Sequence, residues 1–69
     1  MNLVINGQSE SHTQTTLTVQ ELLVVKDVKM PEMVTVELNG NILDRAAFPT
    51  TSLKDGDTLE FLYFMGGGR

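Results

Sequence analysis

Two places in the chain hold residues that could take part in chemistry. The first is Tyr63-Phe64-Met65-Gly66-Gly67-Gly68-Arg69, where an apolar strand passes directly into three glycines. Glycine has no Cβ and loses the most conformational entropy on ordering, so 66–69 is expected as a flexible glycine-rich tail with nothing to pack. Three extended residues reach at most about 10 Å, and without side chains they fit a slot that rejects anything bulkier. Such a tail suits a partner enzyme that takes the chain terminus into a narrow active site. The competing explanation is a frayed end or a linker without function. The second place is His12. No carboxylate or second histidine is expected at useful spacing from it, so it is expected as a solvated residue on an edge strand.

The remaining composition removes most other chemistries. Sixty-nine residues make one small domain, near the lower limit for folding alone, with no room for a cleft between lobes. A hydrophobic fraction of 41% and a charged fraction of 20% belong to a globular chain rather than a disordered one. There is no cysteine, which excludes a disulfide framework, a thiolate zinc site and a cysteine nucleophile. No apolar run has the length of a membrane span, and the first residues lack the basic and apolar regions of a signal peptide, so a cytoplasmic location is expected. A net charge of −4 argues against nucleic acid or an anionic membrane as partner and favours a basic docking surface. A monomer is expected for the free chain, with no bound cofactor or metal.

The elements that must position the tail follow from local pattern. Leu3 and Ile5 share one face of a first strand and Val4 takes the other, before Asn6-Gly7 makes a two-residue hairpin turn. Gln8 to Thr16 is polar and reads as an edge strand. Thr18 and Glu21 form a capping box, flanked by Leu17 and Leu22 as a hydrophobic staple, and open the only helix. Val19, Leu22 and Leu23 give its inward face with Val25 on the flank; Val24 and Val28 fall on the far side, and Lys26 is expected to snorkel at the helix end. Pro31 stops the helix. Val34, Val36 and Leu38 alternate with Thr35 and Glu37 in the clearest strand, followed by Asn39-Gly40 and a short return through Ile42. Phe48 can plug one end of the core. Leu53-Lys54-Asp55-Gly56-Asp57 is a tight turn into the last strand, with Leu59 and Phe61 toward the helix and Glu60, Leu62 and Phe64 on the other side.

Hairpin, helix, hairpin, long loop and last strand make an α+β chain: a mixed four- to five-stranded sheet with one helix packed on one face, over 1–65. That is the ubiquitin-like β-grasp arrangement, and it requires the first and last strands to be parallel central neighbours. On Asn6-Gly7, Val36-Glu37-Leu38-Asn39-Gly40, Leu53-Lys54-Asp55-Gly56-Asp57 and above all Tyr63-Phe64-Met65-Gly66-Gly67-Gly68, the sequence resembles the ThiS-type sulfur carriers of thiamin biosynthesis, relatives of MoaD and ubiquitin. The likeness spans the whole chain, and the order of the motifs is more specific than any one of them.

The resemblance implies a carrier rather than an enzyme. The terminal glycine, here Gly68, would be adenylated with ATP by a ThiF-type adenylating enzyme, converted to a thiocarboxylate, and used by a ThiG-type thiazole synthase. Gly66 and Gly67 would thread the partner's channel, and Leu62, Phe64 and Met65 would contribute to docking. The family pattern stops at the final glycine, so Arg69 departs from it; a peptidase removing Arg69 is the expected remedy. Two alternatives remain at this point. One is a sulfur carrier for another product, such as a molybdopterin synthase small subunit, or a ubiquitin-like protein modifier. The other is a β-grasp binding module with an inert tail.

Overall fold

Strand β1 (Asn2–Ile5) buries Leu3 and Ile5 and turns at Asn6 and Gly7, whose φ values of 52° and 81° are those of a two-residue hairpin. In the computed structural model, which describes residues 1–63, β2 (Gln8–Ser11) returns antiparallel from this turn with Ile5 opposite Gln8 and Asn2 opposite Ser11. Helix α1 covers Val19–Val25, and β3 (Val34–Leu38), β4 (Asn41–Ile42) and β5 (Thr58–Tyr63) follow. The five strands form one sheet in the order β2-β1-β5-β3-β4. β1 and β5 are parallel central neighbours, with Ile5 beside Leu59, while β3 runs antiparallel to β5 from Val34 opposite Tyr63 to Leu38 opposite Leu59. The expected β-grasp topology is therefore present with five strands.

One helix covers one sheet face, and the core lies between them. Val19, Leu22, Val34, Val36 and Leu59 are fully buried, with Leu3, Ile5, Leu17, Leu23, Phe48 and Leu53 nearly so. Burying each such side chain removes apolar surface from water and is worth about 1.5–3 kcal/mol.

The α1 N-terminus shows how the irregular segment earns its place in the fold. Thr18 Oγ1 accepts from the Glu21 backbone N–H at 3.1 Å while Glu21 Oε1 accepts from the Thr18 N–H at 2.9 Å, completing the expected capping box. The Val19 and Gln20 N–H groups, left without helical acceptors, donate instead to the carbonyls of Thr51 and Phe48. The long loop is thus tied to the helix it follows. At its other side the Arg45 guanidinium, stacked 5.3 Å from the Phe48 ring centre, donates to the carbonyls of Pro31 and Val34.

The helix ends earlier than Pro31 requires, and several side chains move from their expected places as a result. Asp27 adopts φ 53°, its N–H donates to the Val24 carbonyl, and the Val28 N–H donates to the Leu23 carbonyl. That pair of bonds is a Schellman ending with an aspartate at the left-handed position usually held by glycine. Val28 therefore lies beyond the helix and packs on the core, against the expected outward position, while Val25 is exposed rather than flanking the core. Lys26 does not snorkel over α1; it reaches across to the carboxylate of Glu10 on β2.

His12 also differs from expectation. Its Nε2 lies 3.0 Å from Glu10 Oε1, and its side chain is only 10% exposed. Glu10 and His12 are two residues apart on an extended segment and so share the helix-side face, where Glu10 meets Lys26. Backbone bonds between Met1 and His12 carry the β1–β2 ladder past Ser11 and hold the ring there. Phe64 and Met65, and the tail expected over 66–69, lie outside the described residues.

Candidate functional site

The residues nearest the glycine run are set by β5, and β5 is held from both sides. Toward β1, Val4 and Asn6 donate backbone bonds to the carbonyls of Asp57 and Leu59. Where β1 turns away, the Asn6 side-chain oxygen accepts from the Phe61 N–H at 2.8 Å and extends the ladder by one bond. Toward β3, Asn39 does the same at the start of the strand: its side-chain oxygen accepts from the Thr58 N–H at 2.9 Å, and its amide donates to Asp57 Oδ1 at 3.0 Å. The asparagines of both hairpins therefore combine positive φ, at 52° each, with a side chain that fixes the last strand.

Alternation along β5 separates its faces. Leu59 and Phe61 face α1, Leu59 fully buried and Phe61 partly so. Tyr63, opposite Val34, is on the same side; it is 45% exposed and its hydroxyl donates to the Lys29 carbonyl at 3.5 Å. Glu60 and Leu62 point to the open face, opposite Glu37 and Thr35 respectively, both half-buried. Ile42 pairs with Glu37 from the other side and is 67% exposed. The expectation that Leu62 lies away from the helix is met in geometry. The other expected site residues, Phe64, Met65, Gly66, Gly67 and Gly68, are outside the described residues.

The opposed Glu37 and Glu60 were not singled out from the sequence. Each looked like an ordinary outward residue, and only the register of β3 against β5 brings them together. Among the described residues neither carboxylate has an ion pair or a hydrogen bond.

The rest of the described surface offers little chemistry. No group of three or more His, Asp or Glu residues is arranged to hold a metal among the described residues. A groove of about 530 Å³ between the end of α1 and the Arg45 turn is lined by Leu23, Val24, Val28 and Phe48, and its Arg45 is already bonded to backbone carbonyls. In the Glu10 cluster, the hydrogen bond from Lys26 holds the Glu10 carboxyl below its ordinary value of 4.5; partial burial opposes this and the bond with His12 reinforces it. That cluster pins β2 to α1. No described helix is long and apolar enough to cross a membrane.

Comparison with known proteins agrees with the fold. Residues 3–68 match the ThiS family. The crystal structure of a thiamine biosynthesis protein (ThiS) from Geobacter metallireducens superposes with a TM-score of 0.91 at 54% identity, covering 99% of this chain and 100% of that one. An NMR solution structure of a thiamine biosynthesis protein from the same organism gives a TM-score of 0.81 at 54% identity over 100% of this chain and 90% of that one. A thiazole synthase of Paramagnetospirillum magneticum is 38% identical over 68 residues, which are 99% of this chain and 20% of that protein. The chain thus spans about a fifth of the length of that curated relative.

Proposed function

The chain belongs to the ThiS family, and on that premise we propose that it is a sulfur carrier of thiamin biosynthesis that bears sulfur on the carboxyl carbon of Gly68. The observation that carries this is the end-to-end likeness, at 54% identity, to a ThiS thiamine biosynthesis protein, together with a family match that runs to Gly68.

The chemistry follows from what a carboxylate lacks. It is a poor electrophile because its leaving group would be oxide. The Gly68 carboxylate attacks the α-phosphorus of ATP in the active site of a ThiF-type adenylating enzyme, pyrophosphate leaves, and the acyl-adenylate so formed has AMP as its leaving group. A sulfur nucleophile at the oxidation level of sulfide then displaces AMP and leaves a thiocarboxylate, ionised and soft as thiolates are. The chain supplies the terminus and the docking surface, and its partners supply catalysis. Gly66 and Gly67 pass through the partner's channel, where any Cβ would widen the chain. Leu62, Phe64 and Met65 seat the base of the tail.

Gly68 has a free carboxylate only after the Gly68–Arg69 bond is hydrolysed, so a peptidase that removes Arg69 belongs to this account. The recipient of the sulfur is a ThiG-type thiazole synthase, a choice supported by the protein of that name with a stretch resembling this chain. The test is to incubate a chain ending at Gly68 with the adenylating enzyme, ATP and a sulfur source. ATP–pyrophosphate exchange and the mass gain of an oxygen-to-sulfur replacement on the C-terminal peptide are expected. Absence of exchange contradicts the proposal.

A further inference from the structure

The two Asn-Gly turns share sequence and backbone, with φ 52° and 81° at Asn6-Gly7 and 52° and 88° at Asn39-Gly40, but not surroundings. Asparagine is a thermolabile residue, and before glycine it is most open to spontaneous deamidation, because no side chain shields the backbone nitrogen that attacks it. In a folded hairpin the asparagine side chain must first leave its hydrogen bonds and swing over that nitrogen, so the reaction waits on local opening. Asn6-Gly7 joins β1 to β2, which is paired from Gln8 to Ser11, extended by the Met1–His12 backbone bonds and tied to α1 through Glu10 and Lys26. Asn39-Gly40 joins β3 to β4, an edge strand of two exposed residues in which Ile42 is 67% exposed. The second hairpin has less to break.

The consequences differ as well. Asn39 Oδ1 accepts from the Thr58 N–H at 2.9 Å, and its amide nitrogen donates to Asp57 Oδ1 at 3.0 Å. Deamidation replaces that donor with a charged acceptor oxygen, so two carboxylates meet at hydrogen-bond distance. Asp57 is held in place, because its Oδ2 accepts from the Lys54 N–H at 2.8 Å in the turn that starts β5. At Asn6 the side-chain oxygen accepts from the Phe61 N–H, and an aspartate oxygen keeps that bond. We propose that Asn39 is a deamidation site of the folded chain, and that its conversion unties the start of β5 from the β3–β4 hairpin. The Gly40 backbone nitrogen attacks Asn39 Cγ, its proton passes to the departing nitrogen, and the Cγ–Nδ2 bond breaks to release ammonia. Water then opens the cyclic imide at either carbonyl, giving aspartate or an isoaspartate whose backbone runs through Cβ. The aspartate opposes Asp57, and the isoaspartate lengthens a turn whose geometry fits two ordinary residues.

The test holds the full chain, folded and in urea, at mildly alkaline pH, where the attacking nitrogen loses its proton more readily, and follows the peptides containing Asn6 and Asn39 by mass. In the folded chain the amide-to-acid mass gain is expected at Asn39 several-fold sooner than at Asn6, with isoaspartate among the products. In urea the two are expected to convert at similar rates. Conversion at Asn6 as fast as at Asn39 in the folded chain overturns the assignment, as does a preference for Asn39 no greater than that in urea. Asn39→Asp is expected to lower the thermal midpoint by about 5 °C or more and to speed hydrogen exchange at the Thr58 amide, whereas Asn6→Asp leaves the midpoint in place. Adding Asp57→Asn to Asn39→Asp returns a donor to the pair and is expected to recover most of the loss. An unshifted midpoint in Asn39→Asp, or no recovery in the combined variant, overturns the opposition of carboxylates and the untying that rests on it.

Discussion

The side-chain oxygen of Asn6 accepts a hydrogen bond from the backbone N–H of Phe61 at 2.8 Å, across a separation of 55 residues. Asn6 ends the first strand and Phe61 lies in the strand that leads to the glycine run, so one turn residue stands in for the strand that has just turned away. Replacing it by glycine keeps the positive φ and removes the acceptor. Asn6→Gly is expected to lower stability by about 1 kcal/mol and to speed hydrogen exchange at the Phe61 amide, whereas Asn6→Asp keeps both near their original values. Unchanged exchange at Phe61 in Asn6→Gly would show that the bond does not hold the strand.

The Glu10 cluster gives a pH dependence with a definite sign. The Glu10 carboxyl is held below its ordinary value of 4.5, chiefly by Lys26. A depressed carboxyl stabilises the fold above that value, and the contribution is lost as pH falls through the lower, folded-state pKa. Glu10→Gln should therefore destabilise the chain by at most about 1 kcal/mol at neutral pH, the range of partly exposed ion pairs, with the difference fading below pH 4.5. Urea titrations at several pH values measure this. A difference that grows on acidification would contradict it.

Much of the fold was legible because its signals are local. The capping box, both Asn-Gly turns, the alternation of β1, β3 and β5, and the Leu53 to Asp57 turn each occupy fewer than about eight residues, and each appears where periodicity and turn chemistry place it. What was not legible depends on partners distant in sequence. The helix ends at Val25 because Asp27 takes a left-handed conformation without a glycine to signal it, which moves Val25 outward and Val28 inward. Glu10 meets Lys26 because α1 delivers that side chain over β2, whereas the Glu10–His12 contact is local, two residues apart on one face of an extended segment, and alternation could have shown it. For the candidate site, the outward placement of Leu62 could be read from alternation, but the facing of Glu37 and Glu60 is a matter of register between strands more than twenty residues apart.

Leu59 and Leu62 test that division, being on one strand and opposite faces. Leu59 is fully buried against the helix, and Leu59→Ala is expected to cost about 2–5 kcal/mol through lost burial and the cavity left behind. Leu62→Ala is expected to cost less in thermal or urea unfolding and to weaken adenylation of the chain instead. A larger stability loss at Leu62 than at Leu59, with adenylation intact, would place the docking face elsewhere.

The helix cap carries a simpler expectation. Thr18→Ala removes the acceptor for the Glu21 N–H and is expected to lower stability by about 1 kcal/mol, with no change in adenylation, because the cap lies on the helix layer. An altered KM in exchange would connect that layer to the partner.

The most direct measurement of the central claim compares the 69-residue chain with one ending at Gly68, each incubated with the adenylating enzyme, ATP and a sulfur source. Intact mass and pyrophosphate exchange are followed together. The chain ending at Gly68 is expected to support exchange and to gain sulfur at its terminus, and the longer chain is expected to do neither until Arg69 is removed. Sulfur gained as fast by the longer chain with Arg69 still attached would contradict the account.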